Sequence, residues 1–306
     1  MTFQNLPAPK EATQVYPEKK QVLLEGLYLG QRLAEISAKI GRTPVIASFL
    51  TDRNGVIAKA DKHHNFQVPL ETKNASDWQL FQELLAQADV IISGAAYLQR
   101  VSALGSRAEN ILSQFEPGRG FEKLGEWRLR AGYKKRSPDL VVVTRSLDFK
   151  FPEEVTRGGR KIVIFTTDDI ANSDKAKALT NSGTLVIGSG EAGVDGNRMI
   201  ETLSNGMGYR VIMMASGPSV LGLLLEAKRL DLLYITEAQL EIPFDDPSTV
   251  LTILQGGKKV NELKEFSVTQ QYLQENVVTD DGSLISQLFL RYDRKGILVD
   301  RQLNVS

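Results

Sequence analysis

The chain has no cysteine among its 306 residues, and only two histidines and two tryptophans. Without cysteine there is no disulfide, no thiol nucleophile and no thiolate metal site, a usage compatible with a reducing compartment. The two histidines, His63 and His64, are adjacent in one polar stretch with no acidic partner at metal-ligand spacing. Neither a metal centre nor a serine–histidine triad is therefore expected. Charge of one sign is also missing: Lys+Arg and Asp+Glu are both 37. No global field points to nucleic acid, and the basic cluster at 128–136 reads as solvated surface. No apolar run reaches membrane-spanning length, and the N-terminal MTFQNLPAPKEATQVYPEKK has no apolar core of a signal peptide. The expectation is a cytoplasmic protein acting on a small molecule, with no nucleic-acid or membrane partner. No Walker A pattern occurs.

What is present centres on 210–232, RVIMMASGPSVLGLLLEAKRLDL. The run 211–215 is apolar without alternation, the pattern of a strand covered on both faces. Ser216-Gly217-Pro218-Ser219 interrupts it and opens an apolar helix, with Ser216 as the expected N-cap and Pro218 in the first turn, where no N–H is needed. Such a turn offers backbone N–H groups to an anion, and it is equally an ordinary strand-to-helix connection.

The same alternation recurs along the chain. Residues 1–17 read as a lead-in. Residues 18–40 read as one helix, with Leu24, Leu27, Tyr28, Leu33, Ile36 and Ile40 at helical spacing, Gly26 and Gly30 on one face, and Gly41 as its stop. Strands are expected at 44–50, 56–58, 90–93, 140–143, 161–166, 184–187, 233–237 and 283–292. Helices are expected at 77–88 behind a Ser76 cap, and at 95–104, 173–180 and 196–205. The segment 61–74 reads as loop. Strands alternating with helices give an α/β fold: one mainly parallel mixed sheet flanked by helices, with an antiparallel end. The organisation expected is an N-terminal extension, 1–41, with one helix, followed by one domain, 42–306.

Two further stretches bear on chemistry. Gly188-Ser189-Gly190-Glu191-Ala192-Gly193 fits G-x-G-x-x-G, but its helix starts late and no acid ends the next strand. It is a glycine-rich loop near a nucleotide rather than a Rossmann fingerprint. Thr144-Arg145-Ser146 ends a strand with a guanidinium between two hydroxyls, a set suited to a phosphate monoester and also to a plain surface strand end.

Together these segments resemble the reductase domain of riboflavin biosynthesis, a relative of dihydrofolate reductase, over residues 42–295. Pro44-Val45-Ile46-Ala47-Ser48 with Asn54-Gly55-Val56-Ile57-Ala58 is similar to that family's first strand and S-x-D-G-x-I-A turn. The segment 88–96, ADVIISGAA, resembles R-A-x-A-D-A-V-L-V-G-x-G-T-V. Residues 139–148, DLVVVTRSLD, resemble P-x-x-V-V-S-R-S-L-D, and 210–232 resembles E-G-G-P-x-L-x-x-x-L-L-x-x-x-L-V-D-E-L. The resemblance implies a dihydrofolate-reductase-like sheet binding NADPH and reducing a pyrimidine- or pteridine-like compound. By position, Gly94, Ala95, Ser216, Gly217, Pro218 and Ser219 would flank pyrophosphate and nicotinamide. Thr144, Arg145 and Ser146 would take the adenosine phosphate, and Gly188 and Ser189 would lie near adenine. Asn54 and Asp77 are the candidate catalytic positions, with Asp52 behind them. The chain departs from the family at Asn54, where an acid stands, at Ala96-Tyr97 for G-T, and at Ala215-Ser216 for E-G. A non-catalytic nucleotide-binding relative is therefore the rival expectation. The family also implies a homodimer.

Overall fold

The computed structural model describes residues 11–62, 65–104, 113–151, 155, 159–254 and 260–297. The first ten residues of the lead-in, and His63 and His64, lie outside them. The first half runs β1 (Glu11–Tyr16), β2 (Lys20–Leu23), α1 (Leu33–Ile40), β3 (Val45–Thr51), β4 (Val56–Ala60), β5 (Phe66–Gln67), α2 (Ala75–Gln87), β6 (Val90–Gly94) and α3 (Ala95–Leu104). Then come α4 (Glu122–Arg130), β7 (Asp139–Val143), β8 (Ile162–Thr166), α5 (Asp168–Ala171), α6 (Asp174–Asn181), β9 (Leu185–Gly188), α7 (Gly196–Glu201) and β10 (Ile212–Met214). The chain continues through α8 (Pro218–Glu226), β11 (Leu232–Ala238), β12 (Val250–Thr252), β13 (Phe266–Val278) and β14 (Leu284–Arg294).

Eleven strands form one sheet in the order β2-β1-β13-β14-β11-β3-β10-β6-β7-β8-β9, and β12-β4-β5 form a second, small sheet. From β11 to β9 every pairing is parallel, and from β2 to β11 every pairing is antiparallel. The mainly parallel mixed sheet expected from the apolar runs is thus present. Because side chains alternate between faces, each buried run feeds two cores. Ile46, Ile91, Leu140, Ile164 and Met213 lie on one face with Leu80, Leu84 and Leu98 from α2 and α3. Val45, Ala47, Ile92, Val141, Val163 and Met214 lie on the other with Met199, Val220, Leu221 and Leu224 from α7 and α8.

Several local expectations are corrected. Residues 18–40 are not one helix: Gly26 and Arg32 take left-handed backbone, φ 84° and 48°, and only Leu33–Ile40 is α-helical, ending at Gly41 as expected. The expected lead-in instead contributes β1, which pairs with β13 and β2. What holds the segment between β2 and α1 is a long-range carboxylate. Glu83 on α2 accepts N–H bonds from Gly26, Tyr28 and Leu29 at 2.7, 2.9 and 3.3 Å, and Gln87 accepts from Leu33 at 3.0 Å. The cap of α2 is Asn74 rather than Ser76, and Gly217 rather than Ser216 caps α8. Nor is Arg128 solvated: it is 2% exposed and donates to the carbonyls of Ala86 and Ala88 at 2.8 and 2.6 Å. Burial lowers its guanidinium pKa to about 10, so it stays charged at neutral pH.

The amino ends of the parallel strands share one device. Asp231, Asp89 and Asp139, at the starts of β11, β6 and β7, accept backbone N–H bonds from Val45, from Arg210 and Val211, and from Lys161 respectively. Arg42, Arg210 and Lys135 supply the matching cations.

Candidate functional site

Parallel pairing puts the carboxyl ends of β3, β10, β6, β7, β8 and β9 along one edge. Residues far apart in sequence become neighbours there. Ile92 pairs with Met214, and the Ala215 N–H donates to the Ile92 carbonyl at 2.9 Å, so the turns after β6 and β10 are adjacent. A Cβ on Gly94 would stand 3.2 Å from the Ser216 hydroxyl. The helices that follow leave on opposite faces, since Leu98 of α3 joins one core and Val220, Leu221 and Leu224 of α8 the other. This divergence opens a crevice at a topological switch point, the place where open α/β sheets take ligands.

The crevice walls are small and backbone-rich. Gly217 caps α8 with no side-chain hydrogen bond, Pro218 follows in the first turn, and a Cβ at Gly217 would meet nothing within 4 Å. Gly217 and Ser219 are exposed; Gly94, Ala95, Ser216 and Pro218 are half-buried. The fully buried hydroxyls of Ser93, next to Gly94 on β6, and of Thr166, two strands away on β8, have no hydrogen-bond partner among the described residues. Sequence reading did not single out either one, although each is a polar residue closing an apolar run.

Next along the edge, the Thr144 hydroxyl bonds the Ser146 carbonyl and receives the Ser146 N–H at 3.1 Å, folding the turn so that Arg145 and Ser146 are exposed. The acid nearest in sequence, Asp148, pairs with Lys175, whose ammonium holds the carboxyl below its ordinary range. Arg145 is exposed and bonds none of the described residues.

The glycine-rich loop behaves differently. Gly188 must be glycine because a Cβ would lie 2.9 Å from the Asp168 Cα, and at Gly190, φ 139°, a Cβ would lie 2.3 Å from the Gly193 carbonyl. Ser189 is 1% exposed and its hydroxyl donates to the Asp195 carbonyl at 3.2 Å. These residues close the loop on itself at the outer edge of the sheet, and α7 begins only at Gly196, as the rejection of a Rossmann fingerprint expected.

Asn54 follows β3, one strand from Ser216, in a turn held by Asp52. Asp52 is 1% exposed: its Oδ1 accepts from the Asn54 and Val56 N–H groups, both at 2.8 Å, and its Oδ2 from Ile242 at 2.7 Å. That carboxylate holds backbone and is closed to a ligand. Asp77 is half-buried in the first turn of α2, close enough to Tyr28 to add to the upward pKa shift that burial gives that phenol. Tyr97, the bulky departure, packs against the core beneath α3.

A cleft of about 450 Å³ lies at the opposite, amino edge, lined among others by Arg42, Arg210 and Arg229. Each of these is matched by a carboxylate, Asp231, Asp89 or Glu201, so the cleft has volume but no unmet charge. Among the described residues no cluster of His, Cys, Asp or Glu suits a metal ion, and no helix is long and apolar enough to cross a membrane.

Comparison with known proteins agrees with this geometry. No curated protein matches the sequence. A pyrimidine reductase-like protein from Corynebacterium diphtheriae has the same fold, with TM-score 0.56, 19% identity, and coverage of 89% of this chain and 99% of that one. The riboflavin biosynthesis reductase of Saccharomyces cerevisiae superposes with TM-score 0.50 and 14% identity over 86% of this chain and 99% of its own. The Thermotoga maritima diaminohydroxyphosphoribosylaminopyrimidine deaminase/5-amino-6-(5-phosphoribosylamino)uracil reductase gives TM-score 0.51 and 12% identity over 86% of this chain, which spans 59% of that longer protein. Residues 48–238, more than half of the sequence and every strand from the switch-point crevice to the sheet's outer edge, match the RibD C-terminal domain, and the chain belongs to that family.

Proposed function

We infer that this chain is an NADPH-dependent reductase of a pyrimidine-like small molecule. The observation that carries the reading is the crevice between Gly94-Ala95 and Ser216-Gly217-Pro218-Ser219, where two helices diverge from adjacent strands. Glycine and small residues let a pyrophosphate approach backbone N–H groups there. Thr144, Arg145 and Ser146, on the next strand, would take an adenosine phosphate, and the backbone around Gly188 and Ser189 would close the adenine end. The cofactor would supply the hydride; the protein orients the two reactants and excludes water. In this reading Asn54 would orient the acceptor ring, and Asp77 would hold the proton that accompanies hydride addition.

The test is a fluorescence titration with NADPH, followed by NADPH oxidation with 5-amino-6-(5-phosphoribosylamino)uracil as the probe. Absence of NADPH binding at sub-millimolar concentration would sink the reading. A second reading, a nucleotide-binding relative without turnover, is favoured by Asn54, Ala215 and Ser216, which leave the crevice wall without a carboxylate. NADPH binding with no oxidation by any pyrimidine probe would select it.

A further inference from the structure

Asp77 stands in the first turn of α2, and the start of that helix is fastened in an unusual way. The Asn74 Oδ1 accepts the Asp77 N–H at 2.9 Å, which is all that an N-cap requires. The rest of the amide is also engaged. Its Nδ2 donates to the Thr72 carbonyl and to the Gln287 Oε1, both at 2.9 Å, and the Gln287 Nε2 donates back to the Asn74 Oδ1 at 3.2 Å and on to the Gln274 Oε1 at 2.9 Å. The two amides thus exchange hydrogen bonds in a ring that fixes which way each one points.

Asn74 and Gln287 are 1% and 0% exposed, and Gln274 is buried as well. A serine would cap the helix with less buried polarity, and apolar side chains would fill the space around it. Gln287 belongs to β14 and pairs with Ala238 at the carboxyl end of β11, while Gln274 faces it from β13. The backbone repeats the connection: Asn74 bridges Thr279, and the Asp280 N–H donates to the Lys73 carbonyl at 2.9 Å. The first turn of α2 is therefore registered against the sheet edge by residues some two hundred positions later, and Asp77 takes its backbone position from them.

We propose that Asn74, Gln287 and Gln274 are positioning residues, a buried amide relay that sets the Asp77 carboxylate at the carboxyl edge of the sheet. The proposal rests on the reading of Asp77 as the proton-holding group. Three single variants and one double variant test it: Gln287→Met, which removes the amide but keeps the volume; Asn74→Ser, which keeps the cap but removes the relay; Asp77→Asn; and Gln287→Met with Asp77→Asn. Misplacement of a reacting group costs up to a hundredfold in rate. Gln287→Met and Asn74→Ser are expected to lower kcat with the uracil probe at least about tenfold, leaving NADPH affinity within about twofold, and the double variant should be no slower than Asp77→Asn alone.

Hydrogen exchange at residues 75–78, which needs neither cofactor nor substrate, is expected to quicken in both relay variants. Unchanged exchange in Gln287→Met overturns the relay whatever the turnover. Faster exchange with unchanged kcat, or additive losses in the double variant, overturns the positioning role. If Asp77→Asn alone turns over normally, the reading of Asp77 fails and the positioning role with it, while the exchange result still judges the relay as a register device. If the wild type does not oxidise NADPH with the probe, the proposed substrate fails and exchange alone decides. Should Gln287→Met not fold, Gln274→Met decides by the same readouts.

Discussion

The two edges of the parallel sheet are built from the same strands and differ in how their polar groups are satisfied. At the amino edge Asp231, Asp89 and Asp139 hold backbone N–H groups and are in turn held by Arg42, Arg210 and Lys135. At the carboxyl edge Gly217 caps a helix without a side chain, and neither Arg145 nor the buried hydroxyls of Ser93 and Thr166 bond any of the described residues. The contrast is one of ion pairs and exposure rather than of unpartnered atoms, since a side-chain nitrogen of Arg136 and one of Arg294, near the amino ends, also lack a hydrogen-bond partner among the described residues. An open cleft is not by itself a site: the amino edge has one, with every arginine matched.

The comparison predicts that changes at the amino edge affect stability and changes at the carboxyl edge affect affinity. The largest effect is expected from Asp231→Ala, which strands the buried Val45 N–H and the Arg42 guanidinium. Urea unfolding should show a loss of about 2–4 kcal/mol, with NADPH affinity of the folded protein unchanged. A parallel fall in affinity would erase the distinction between the edges. Arg145→Ala should weaken NADPH by about 1.5–3 kcal/mol, ten- to a hundredfold, with NADH and the unfolding midpoint unaffected. Equal losses for both cofactors would remove the phosphate role from Arg145. Gly94→Val, crowding the Ser216 hydroxyl across the crevice, should weaken NADPH about tenfold, or ~1.4 kcal/mol. Calorimetry showing undiminished affinity would place the cofactor elsewhere.

The smallest effect concerns pH and the antiparallel end. Burial pushes the Glu83 carboxyl above its ordinary value, outweighing the N–H bonds that pull it down. The folded state therefore binds this proton more tightly than the unfolded chain does. The resulting stability is fully present below the unfolded-state value of about 4.3 and is lost as pH rises through the higher folded value. Urea unfolding across pH should accordingly show wild type losing stability relative to Glu83→Gln from about pH 4 upward. Wild type gaining stability relative to Glu83→Gln as pH rises would mean that the N–H bonds outweigh burial.

The parallel half was legible because its strands are continuous apolar runs, and the turns after β6, β7 and β10 were legible because glycine or hydroxyls end those runs. Of the antiparallel end only β14 was, expected at 283–292 and found at Leu284–Arg294. β13 carries Gln270, Gln271, Gln274, Glu275 and Asn276, and its ladder shifts register twice, so its alternation is broken. The expected helix at 18–40 failed for a related reason. Leu24, Tyr28 and Leu33 are indeed buried, but Glu83 and Gln87 on α2 replace helical bonds as partners for the backbone there. The basic cluster misled in the same way, since Arg128 finds carbonyls that only the packing of α4 brings near. Among the candidate site residues, Ser189 faces inward and Asp52 holds backbone. Asp77 is held in the first turn of α2 by an Asn74 cap, where the sequence reading expected Ser76.

Taken alone, the sequence determined that an α/β sheet would form, which strands would be central, and where small residues would end them, because burial of apolar side chains is a property each run carries by itself. Tertiary structure decided which polar groups would find a partner. Whether Asp231 or Asn74 is satisfied depends on a second residue 189 or 213 positions away, and strand order and register decide whether the two meet.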